Sequence, residues 1–344
     1  MEVNLNSKVS AEPRKRVFSG IQPTGSAHIG NYLGALRQWA LQQETHEAFY
    51  CIVDLHALTM PWDPAELREH TLRKAAEMIA CGIDPERSVL FVQSHVRAHT
   101  ELAWILTCIA RMGELRRMIQ FKERSKGDTE GVGAGLFTYP VLQVADVLLY
   151  RAHGVPVGED QKQHVELMRD LGGRFNHTFG ETFVLPEAWV PPVGARVMAL
   201  DDPTRKMSKS EMEARPASGV NLVDPPETIL KRIRSAVTDS GRAIKATEDK
   251  PAVTNLLTIY SAVEGTTVPA LEERFADSGY GDFKAALGEM LVEHLRPIRE
   301  RYTELLADPG HLGALLKQGA DRAAEVAEGT LKDVRTAAGL VAAG

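Results

Sequence analysis

The sequence predicts an α/β protein in which a doubly wound parallel sheet is followed by a second, all-helical domain. Short β-prone runs alternate with helical spacing up to about residue 203, and helical spacing alone continues beyond it. The 344 residues suffice for about two domains. A stretch rich in Pro, Ser and charge at 203–226 predicts a mobile connection. We therefore divide the chain into 1–203, 204–305 and 306–344, and expect the last helices to pack back toward the first domain.

The predicted elements alternate along the first domain. The run at 16–21 predicts a strand, which leads through a Gln-Pro-Thr-Gly turn into a helix with apolar residues at 29, 33, 36 and 40. Further strands are predicted at 49–53, 88–93, 155–157 and 196–200, separated by helices near 63–82, 102–109, 140–150 and from 160. After residue 203 the apolar spacing predicts helices only.

Composition and charge exclude several classes of protein. Forty Lys and Arg against 46 Asp and Glu give a formal net charge of −6, so an RNA partner must meet local basic patches. Cys51, Cys81 and Cys108 form no CxxC pair, and we expect buried thiols in a reducing compartment. The N-terminus shows no signal-peptide pattern, and no run reaches the roughly 18 apolar residues of a membrane span. We therefore expect a cytoplasmic protein that does not contact a membrane.

The segment 22–31 follows the first predicted strand, at the edge where parallel sheets bind ligands. It opens a helix, whose free N–H groups would attract phosphate. His28 and Asn31 are spaced to share one face of the first turn, and Gly30 would let a flat ring approach the backbone. A solvated His28 and a packing Gly30 are the alternative.

Three more polar segments follow later strands. Asp54 and His56 follow the second, 158–161 follows the fourth, and 206–210 follows the fifth. The last of these reads Lys-Met-Ser-Lys-Ser, and its lysines and hydroxyls would stabilise a leaving polyphosphate. A solvated surface loop is the alternative. All of these segments are expected to face one crevice.

Two of these segments resemble the signatures of class I aminoacyl-tRNA synthetases. His28-Ile-Gly-Asn31 is similar to the HIGH-type motif, and 206–210 is similar to the KMSKS motif. Segments at 54–59, 120–124, 135–140, 157–164 and 236–239 resemble bacterial tryptophanyl-tRNA synthetases, and the similarity runs from about residue 16 to about 339. The resemblance implies a Rossmann-type catalytic domain, a helical anticodon-side domain and a homodimer. It also implies activation of L-tryptophan by ATP and its transfer to tRNA(Trp).

The resemblance implies roles for individual residues. The catalytic set would be His28, Asn31, Lys206, Ser208 and Lys209. ATP would be bound by Gln22, Pro23, Thr24, Gly30, Asn31, Gly158, Glu159, Asp160, Val197, Lys206, Met207, Ser208, Lys209 and Ser210. Tryptophan would be bound by Phe18, Gly20, His56, Tyr139, Gln143, Asp146 and Gln161, with Tyr139 and Gln161 on its α-amino group. The substrate carboxylate would attack the α-phosphate in line, so positioning and charge neutralisation would carry the rate.

Asp146 lies in an apolar helical segment, where an unpaired carboxylate would cost several kcal/mol and therefore needs a donor. The resemblance implies that the indole N–H is this donor. A structural salt bridge or a cap to a neighbouring loop is the alternative. Phenylalanine would leave the carboxylate unpaired, and would therefore be rejected more strongly than by shape alone.

Two basic clusters could meet RNA. The run 111–126 holds six basic residues against two glutamates, and such a run is usually a solvated helix face. In the family that it resembles, this segment reaches toward ATP and the tRNA acceptor end. Arg124 stands where lysine is common, which alters the phosphate geometry. The predicted anticodon-side surface comprises Lys231, Arg232, Arg234, Arg242 and Lys245.

Some residues depart from the family pattern. Gln143 stands where bacterial relatives tend to carry methionine, and Glu211 begins a stretch where the family often continues with Asp-Pro-Asn. Gln143 would make one pocket wall more polar. The stretch after Ser210, together with about a dozen residues before the usual start near residue 16, keeps open a paralogue that binds tryptophan and ATP but charges tRNA poorly. The enzyme alternatives are a tyrosyl-tRNA synthetase and a nucleotidyltransferase of the same superfamily. His and Cys show no metal-ligand spacing, so Mg²⁺ is expected only with ATP.

Overall fold

The computed structural model describes residues 14–118, 133–158, 161–190 and 196–341. The strands of its central sheet are β1 (Arg16–Ile21), β2 (Glu47–Ile52), β3 (Val89–Val92), β4 (Gly154–Pro156) and β5 (Glu187–Trp189). They lie in the order β3-β2-β1-β4-β5, and each neighbouring pair is parallel. This is the order of a doubly wound sheet, so the predicted α/β fold class is confirmed.

The prediction of a strand at 196–200 is wrong. Within that segment Met198 makes a single antiparallel bridge, to Lys206. The fifth strand is β5, and its Trp189 ring covers Gly154 so closely that a Cβ at that glycine would lie 2.1 Å from it. Prolines flank β5 in the sequence, and only two of its three residues are apolar. Such a short run carries little β signal.

Each predicted helix of the first domain is present. The first begins at Ile29–Asn31, passes through a π-helical turn at Tyr32–Leu36 and continues as Arg37–Gln42, and together these form α1. The others before residue 203 are α2 (Asp54–Ala57), α3 (Pro64–Ala80), α4 (Ala98–Ile109), α5 (Met112–Arg116), α6 (Ala134–Leu148) and α7 (Lys162–Phe179). The later α-helices are α8 (Lys209–Ala214), α9 (Pro226–Ser235), α10 (Pro251–Glu264), α11 (Val268–Arg274), α12 (Tyr280–Ala307) and α13 (Pro309–Ala337).

Apolar clusters cover both faces of the sheet. One joins α1 and α3 to the helices after residue 203, and it includes Leu36, Leu257 and Leu291. The other joins α4, α6 and α7 to α13, and it includes Phe91 and Leu148. Because each face is covered by helices, the inner part of β2 and all of β3 read as continuous apolar runs rather than alternating ones.

The C-terminal helix α13 lies against the sheet. A Cβ at Gly319 would lie 1.8 Å from the carbonyl oxygen of Leu90 in β3, so this approach requires glycine. Arg322 Nη1 donates to the carbonyl oxygens of Pro85 and Ser88, at 2.9 and 3.0 Å. The helix therefore packs on β3 and on the segment that leads into it. The division into three domains stays a prediction.

The predicted connection at 203–226 is tied to the sheet side by backbone hydrogen bonds. Ile29 N–H donates to Val220 O, and Leu222 N–H donates to Ala27 O, each at 2.9 Å. Cys51 and Cys81 are buried as expected, but Cys108 is exposed, so that part of the thiol prediction is wrong. Within the described ranges, each helix is either too short or too polar to span a membrane.

Candidate active site

A cavity of about 350 Å³ opens between β1 and β4, where the order of the strands reverses direction. This switch point is where doubly wound sheets bind their ligands, because the connections leave β1 and β4 toward opposite faces. The lining residues come from both strand ends and from α1, α2, α6 and α7. They include the predicted residues Phe18, Gly20, Gln22, His56, Tyr139, Gln143, Asp146, Gly158 and Gln161.

Helix α6 presents three of these residues to the cavity. Tyr139, Gln143 and Asp146 are four and three positions apart, so helical geometry places them on one face. The Tyr139 hydroxyl lies 3.3 Å from His164 Nε2 on α7. Its ring also packs edge-on against His56, with centroids 6.1 Å apart. The face is therefore held from two sides by neighbouring elements.

Asp146 is almost fully buried, and the protein itself supplies hydrogen-bond donors to it. Its Oδ2 accepts from His56 Nε2 at 2.8 Å. Its Oδ1 accepts from Gln93 Nε2 at 2.7 Å and from His99 Nδ1 at 2.6 Å. Burial by itself would raise the pKa of Asp146, but the hydrogen bonds from His56 and His99 hold it well below its usual range. The group is therefore an anion that can only accept hydrogen bonds.

These donors correct one step of the sequence argument. The carboxylate of Asp146 does not depend on a ligand for its only donor, so phenylalanine would not leave it unpaired. His56 donates to one lone pair of Oδ2. Selection of the amino acid would instead depend on a donor to the other lone pair of that oxygen. The alternative interpretation, a structural network, is thus present at the same residue that lines the cavity.

Two of the three donors, Gln93 and His99, are not among the residues predicted from the sequence. Gln93 directly follows β3, so the rule that selected Asp54 and His56 could have selected it as well. Its Oε1 accepts from Leu55 N–H at 3.1 Å, which orients the amide toward Asp146. His99 gives no such signal, because it lies in the first turn of α4 and meets Asp146 only through the fold.

His28 is the N-cap of α1 rather than a residue of its first turn. Its Nδ1 accepts from the backbone N–H groups of Gly30 and Asn31, at 3.1 and 3.3 Å. The Asn31 side chain in turn accepts from His28 N–H at 3.2 Å, which completes a capping box. Because Nδ1 is an acceptor, the neutral ring carries its hydrogen on Nε2. Burial, together with the charges of Lys209, Lys206 and Lys74, lowers the pKa of His28 to about 4.

Gly30 lies at a close approach between two segments of the site. A Cβ there would lie 3.0 Å from the His28 ring and 3.5 Å from Val197 Cβ. The absence of a side chain at Gly30 thus lets the helix start and the Val197 side chain pack closely together. A flat ring could also approach the backbone of Gly30 more closely than that of a residue with a side chain.

The segment 196–207 forms a hairpin rather than a strand of the main sheet. Met207 N–H donates to Val197 O at 3.1 Å, and Ala199 N–H donates to Arg205 O at 2.8 Å. Asn255 on α10 grips the hairpin, because its side chain accepts from Met198 N–H and donates to Met198 O, at 2.8 and 3.0 Å. The hairpin brings Val197 and the signature lysines to one side of α1.

The signature residues 206–210 have unequal environments. Met207 is buried, whereas Lys206 and Ser210 are exposed. Ser208 caps α8, and its hydroxyl accepts from Glu211 N–H at 3.3 Å. Lys209 Nζ donates to the carbonyl oxygen of Thr24, in the turn between β1 and α1. The segments 22–31 and 206–210 are therefore in direct contact.

The turn after β1 connects the two parts of the site. Gln22, Pro23 and Thr24 line a second cavity, of about 180 Å³, which shares Gln22 and His56 with the larger one. Ser19 Oγ, in the lining of the larger cavity, is buried and has no hydrogen-bond partner among the described residues. A buried hydroxyl of this kind offers a contact to a polar ligand.

Some sequence predictions cannot be placed. Glu159, Asp160 and Arg124 lie outside the described residues, as do the segment 120–124 and much of the basic run 111–126. In the second basic cluster, Arg232 donates to Asp224 and to Gly219 O, so its charge is engaged within the fold. Among the residues that the structure covers, no group of three or more His, Cys, Asp and Glu side chains is arranged to hold a metal ion.

The fold and this site define a Rossmann-type nucleotide-binding protein, with a capped helix start, lysines and a neighbouring small-molecule cavity at the switch point. The family model for class I tRNA synthetases (W and Y) matches residues 10–296. The chain belongs to this family.

Individual relatives narrow the comparison. The chain is 53% identical to a tryptophan–tRNA ligase of Caldanaerobacter subterraneus subsp. tengcongensis, over 95% of this chain and 99% of the relative. It is 51% identical to tryptophan–tRNA ligase 2 of Streptomyces avermitilis, over 97% of this chain and 99% of the relative. The crystal structure of Campylobacter jejuni tryptophanyl-tRNA synthetase complexed with ADP and tryptophan is similar with a TM-score of 0.83 and 37% identity, over 94% of this chain and all of that chain.

Proposed function

We propose that this chain activates L-tryptophan with ATP, forming tryptophanyl-adenylate and pyrophosphate, and then transfers tryptophan to tRNA(Trp). One observation carries the proposal: the cavity at the switch point, lined by Asp146, Tyr139 and Gln143, adjoins the contact between the two signature segments. Its volume of about 350 Å³ lies within the roughly 300–1,000 Å³ typical of small-molecule sites. Membership of the family and the curated relatives support the same activity.

Tryptophan is proposed to occupy the larger cavity with its indole toward Asp146. The indole N–H can only donate a hydrogen bond, and the anionic carboxylate can only accept hydrogen bonds. Oδ2 of Asp146 would then accept from His56 Nε2 and from the indole. Tyr139 and Gln161 are proposed to meet the α-amino group, with Gln143, Phe18 and Gly20 on the cavity wall.

ATP is proposed to lie across the start of α1. The base would lie against Gly30 and Val197, and the phosphates would meet the Nε2–H of His28 and the lysines of 206–210. Because His28 is uncharged near neutral pH, it would donate a hydrogen bond without adding charge. The remaining predicted contacts, including Asn31, Gly158, Ser208 and Ser210, belong to this proposal, and Mg²⁺ would arrive with the nucleotide.

The proposed chemistry needs no nucleophile from the protein. A tryptophan carboxylate oxygen attacks the α-phosphorus, the bond from that phosphorus to the bridging oxygen of the β-phosphate breaks, and pyrophosphate leaves with the electron pair. A hydroxyl of the terminal ribose of tRNA then attacks the carbonyl carbon, and AMP leaves. Lys206 and Lys209 would stabilise the negative charge on the departing pyrophosphate. A homodimer is the proposed assembly.

The test is ATP–pyrophosphate exchange with each of the twenty amino acids, followed by charging of transcribed tRNA. Exchange with tryptophan alone, together with charging of tRNA(Trp), is the expected result. Exchange without charging would instead favour a paralogue that binds both substrates for another purpose. A response to tyrosine, or no amino-acid-dependent exchange, would contradict the proposal.

A further inference from the structure

A buried ion pair lies beneath the turn that joins β1 to α1. Lys74 and Glu77, on α3, are only 1% and 3% exposed, and their charged groups are in direct contact. Lys74 Nζ donates to Gly25 O at 3.0 Å, and Glu77 Oε1 accepts from Ala27 N–H at 2.6 Å. The pair therefore holds the turn through one carbonyl and one N–H group.

Stability alone does not account for such a pair. Removing two charges from water costs several kcal/mol per ion, and well-packed apolar residues of similar volume are often as stabilising or more so. Gly25 has a φ of +50°, a left-handed conformation that favours glycine and that side-chain contacts can hold in place. The hydrogen bonds of the ion pair thus fix the conformation of one short turn.

That same turn receives a signature lysine. Lys209 Nζ donates to Thr24 O, the residue before Gly25, and a Cβ at Gly25 would lie 3.5 Å from Lys209 Cδ. The contacts therefore run from the ion pair to the turn and from the turn to Lys209. Each step is a hydrogen bond or a van der Waals contact.

We propose that Lys74 and Glu77 are positioning residues for adenylate formation, and that they fix the turn 24–27 so that its Thr24 carbonyl holds Lys209 at the nucleotide side of the crevice. Neither residue is proposed to touch a substrate. The inference rests on the proposed function, because it assigns a role in the reaction that Lys209 is proposed to serve.

The charges around Lys209 agree with this arrangement. Burial and the positive charge of Lys74 lower the pKa of Lys209 to about 8, while Glu77 and Glu213 oppose the shift. The charges of Lys74 and Lys209 also lower the pKa of His28. Lys209 is therefore closer to its point of deprotonation than an exposed lysine, and the loss of Lys74 would move that point to higher pH.

The test uses the full chain with the double substitution Lys74→Leu/Glu77→Leu, which removes both charges together and leaves neither unpaired. We expect the KM for ATP in tryptophan-dependent exchange to rise about 10-fold while the KM for tryptophan changes less than about 2-fold. Because Lys74 lowers the pKa of Lys209 by more than Glu77 raises it, the fall in rate above about pH 8 should move to higher pH when both are removed. Hydrogen exchange at the Ala27 amide should also accelerate, because its acceptor is lost.

A second variant guards against misfolding. Lys74→Met/Glu77→Gln also removes both charges but keeps an acceptor for Ala27 N–H, so it should move the pH profile while preserving more protection of that amide. The control is Glu69→Gln/Arg73→Gln, an exposed ion pair on the same helix, which should leave all four measurements unchanged.

The outcomes separate this inference from the proposed function. If the wild-type chain shows no tryptophan-dependent ATP–pyrophosphate exchange, the proposed function fails. Hydrogen exchange at the Ala27 amide still tests whether the ion pair holds the turn. If the wild type is active and both double variants keep its KM for ATP and its pH profile, the positioning role is wrong. Equal rises in both KM values would also overturn it, since that pattern indicates general damage.

Discussion

The side of the crevice proposed to bind tryptophan holds one buried carboxylate among imidazole and amide donors, whereas the side proposed to bind the nucleotide gathers Lys74, Lys206 and Lys209 near His28. Asp146 is held by side chains that project from α2, from α4 and from the end of β3. Lys209 is held by the carbonyl oxygen of a turn. The first side is therefore preorganised by packed side chains, and the second by hydrogen bonds between chain segments.

This difference has a consequence for function. A network of buried side chains resists change until one of its members is removed, because each remaining group then lacks a partner. A turn and a hairpin can be displaced by changes farther away, because their positions depend on the residues that grip them. Substitutions on the two sides should therefore separate the kinetic parameters of the two substrates.

The largest effect is expected at Asp146. Asp146→Ala removes the acceptor of His56, Gln93 and His99 and the proposed partner of the indole, so tryptophan-dependent exchange should fall about 10³-fold or more. Exchange kinetics at saturating ATP measure this loss. Asp54→Asn is the control, since that half-buried carboxylate accepts from Ser94 outside the network. Near-normal exchange in the Asp146 variant would refute the assignment of the pocket.

The next effect concerns stability against pH on the nucleotide side. The pKa of His28 is about 4 in the folded chain and about 6.5 when unfolded, so the unfolded state binds the proton more readily. The contribution of the neutral ring is present above pH 6.5 and is lost as the pH falls toward 4, by up to about 3 kcal/mol. Urea unfolding of the wild type and of His28→Asn, which keeps a capping acceptor, measures the difference. A difference that does not vary with pH would show that His28 does not titrate in this way.

A smaller effect is expected at Lys209. Lys209→Ala removes a positive charge that is proposed to stabilise the leaving pyrophosphate, so adenylate formation should slow about 10²-fold. Tryptophan affinity should change little, because the residue lies on the other side of the crevice. Single-turnover kinetics and tryptophan titration measure the two quantities, with Lys317→Ala on an exposed part of α13 as the control. Equal losses in both would argue against a transition-state role.

The sequence could predict what local patterns encode. Local patterns predict the connection from β1 to α1 and the run Lys-Met-Ser-Lys-Ser, because the turn residues, apolar spacing and charges that mark them lie close together in the chain. They do not predict the donor His99, because it meets Asp146 only after α4 and α6 pack together. The same holds for Lys74 and Glu77, which lie on an amphipathic helix where charged residues normally face solvent.

The hairpin at 196–207 shows a second limit. Residues 197–200 form a continuous apolar run, as in a buried strand, but the chain turns at Pro203 and folds back, and Asn255 hydrogen-bonds to Met198. A short strand and a short hairpin arm have the same local pattern, so the sequence could not separate them. The function was nevertheless predictable, since it depended on motifs rather than on the fifth strand.

The smallest effect tests whether the nucleotide side depends on distant residues. Asn255→Ala releases both hydrogen bonds to Met198, so the hairpin that carries Val197 and leads to Lys206 should loosen, and the KM for ATP should rise about 3- to 10-fold. The KM for tryptophan should not change. Asn176→Ala is a matched control, because Asn176 grips Thr182 and Phe183 in the same manner away from the crevice. If the two variants lose similar stability but only Asn255→Ala alters the KM for ATP, then the hairpin positions the nucleotide site. If both or neither alter it, the contrast between the two sides of the crevice is wrong.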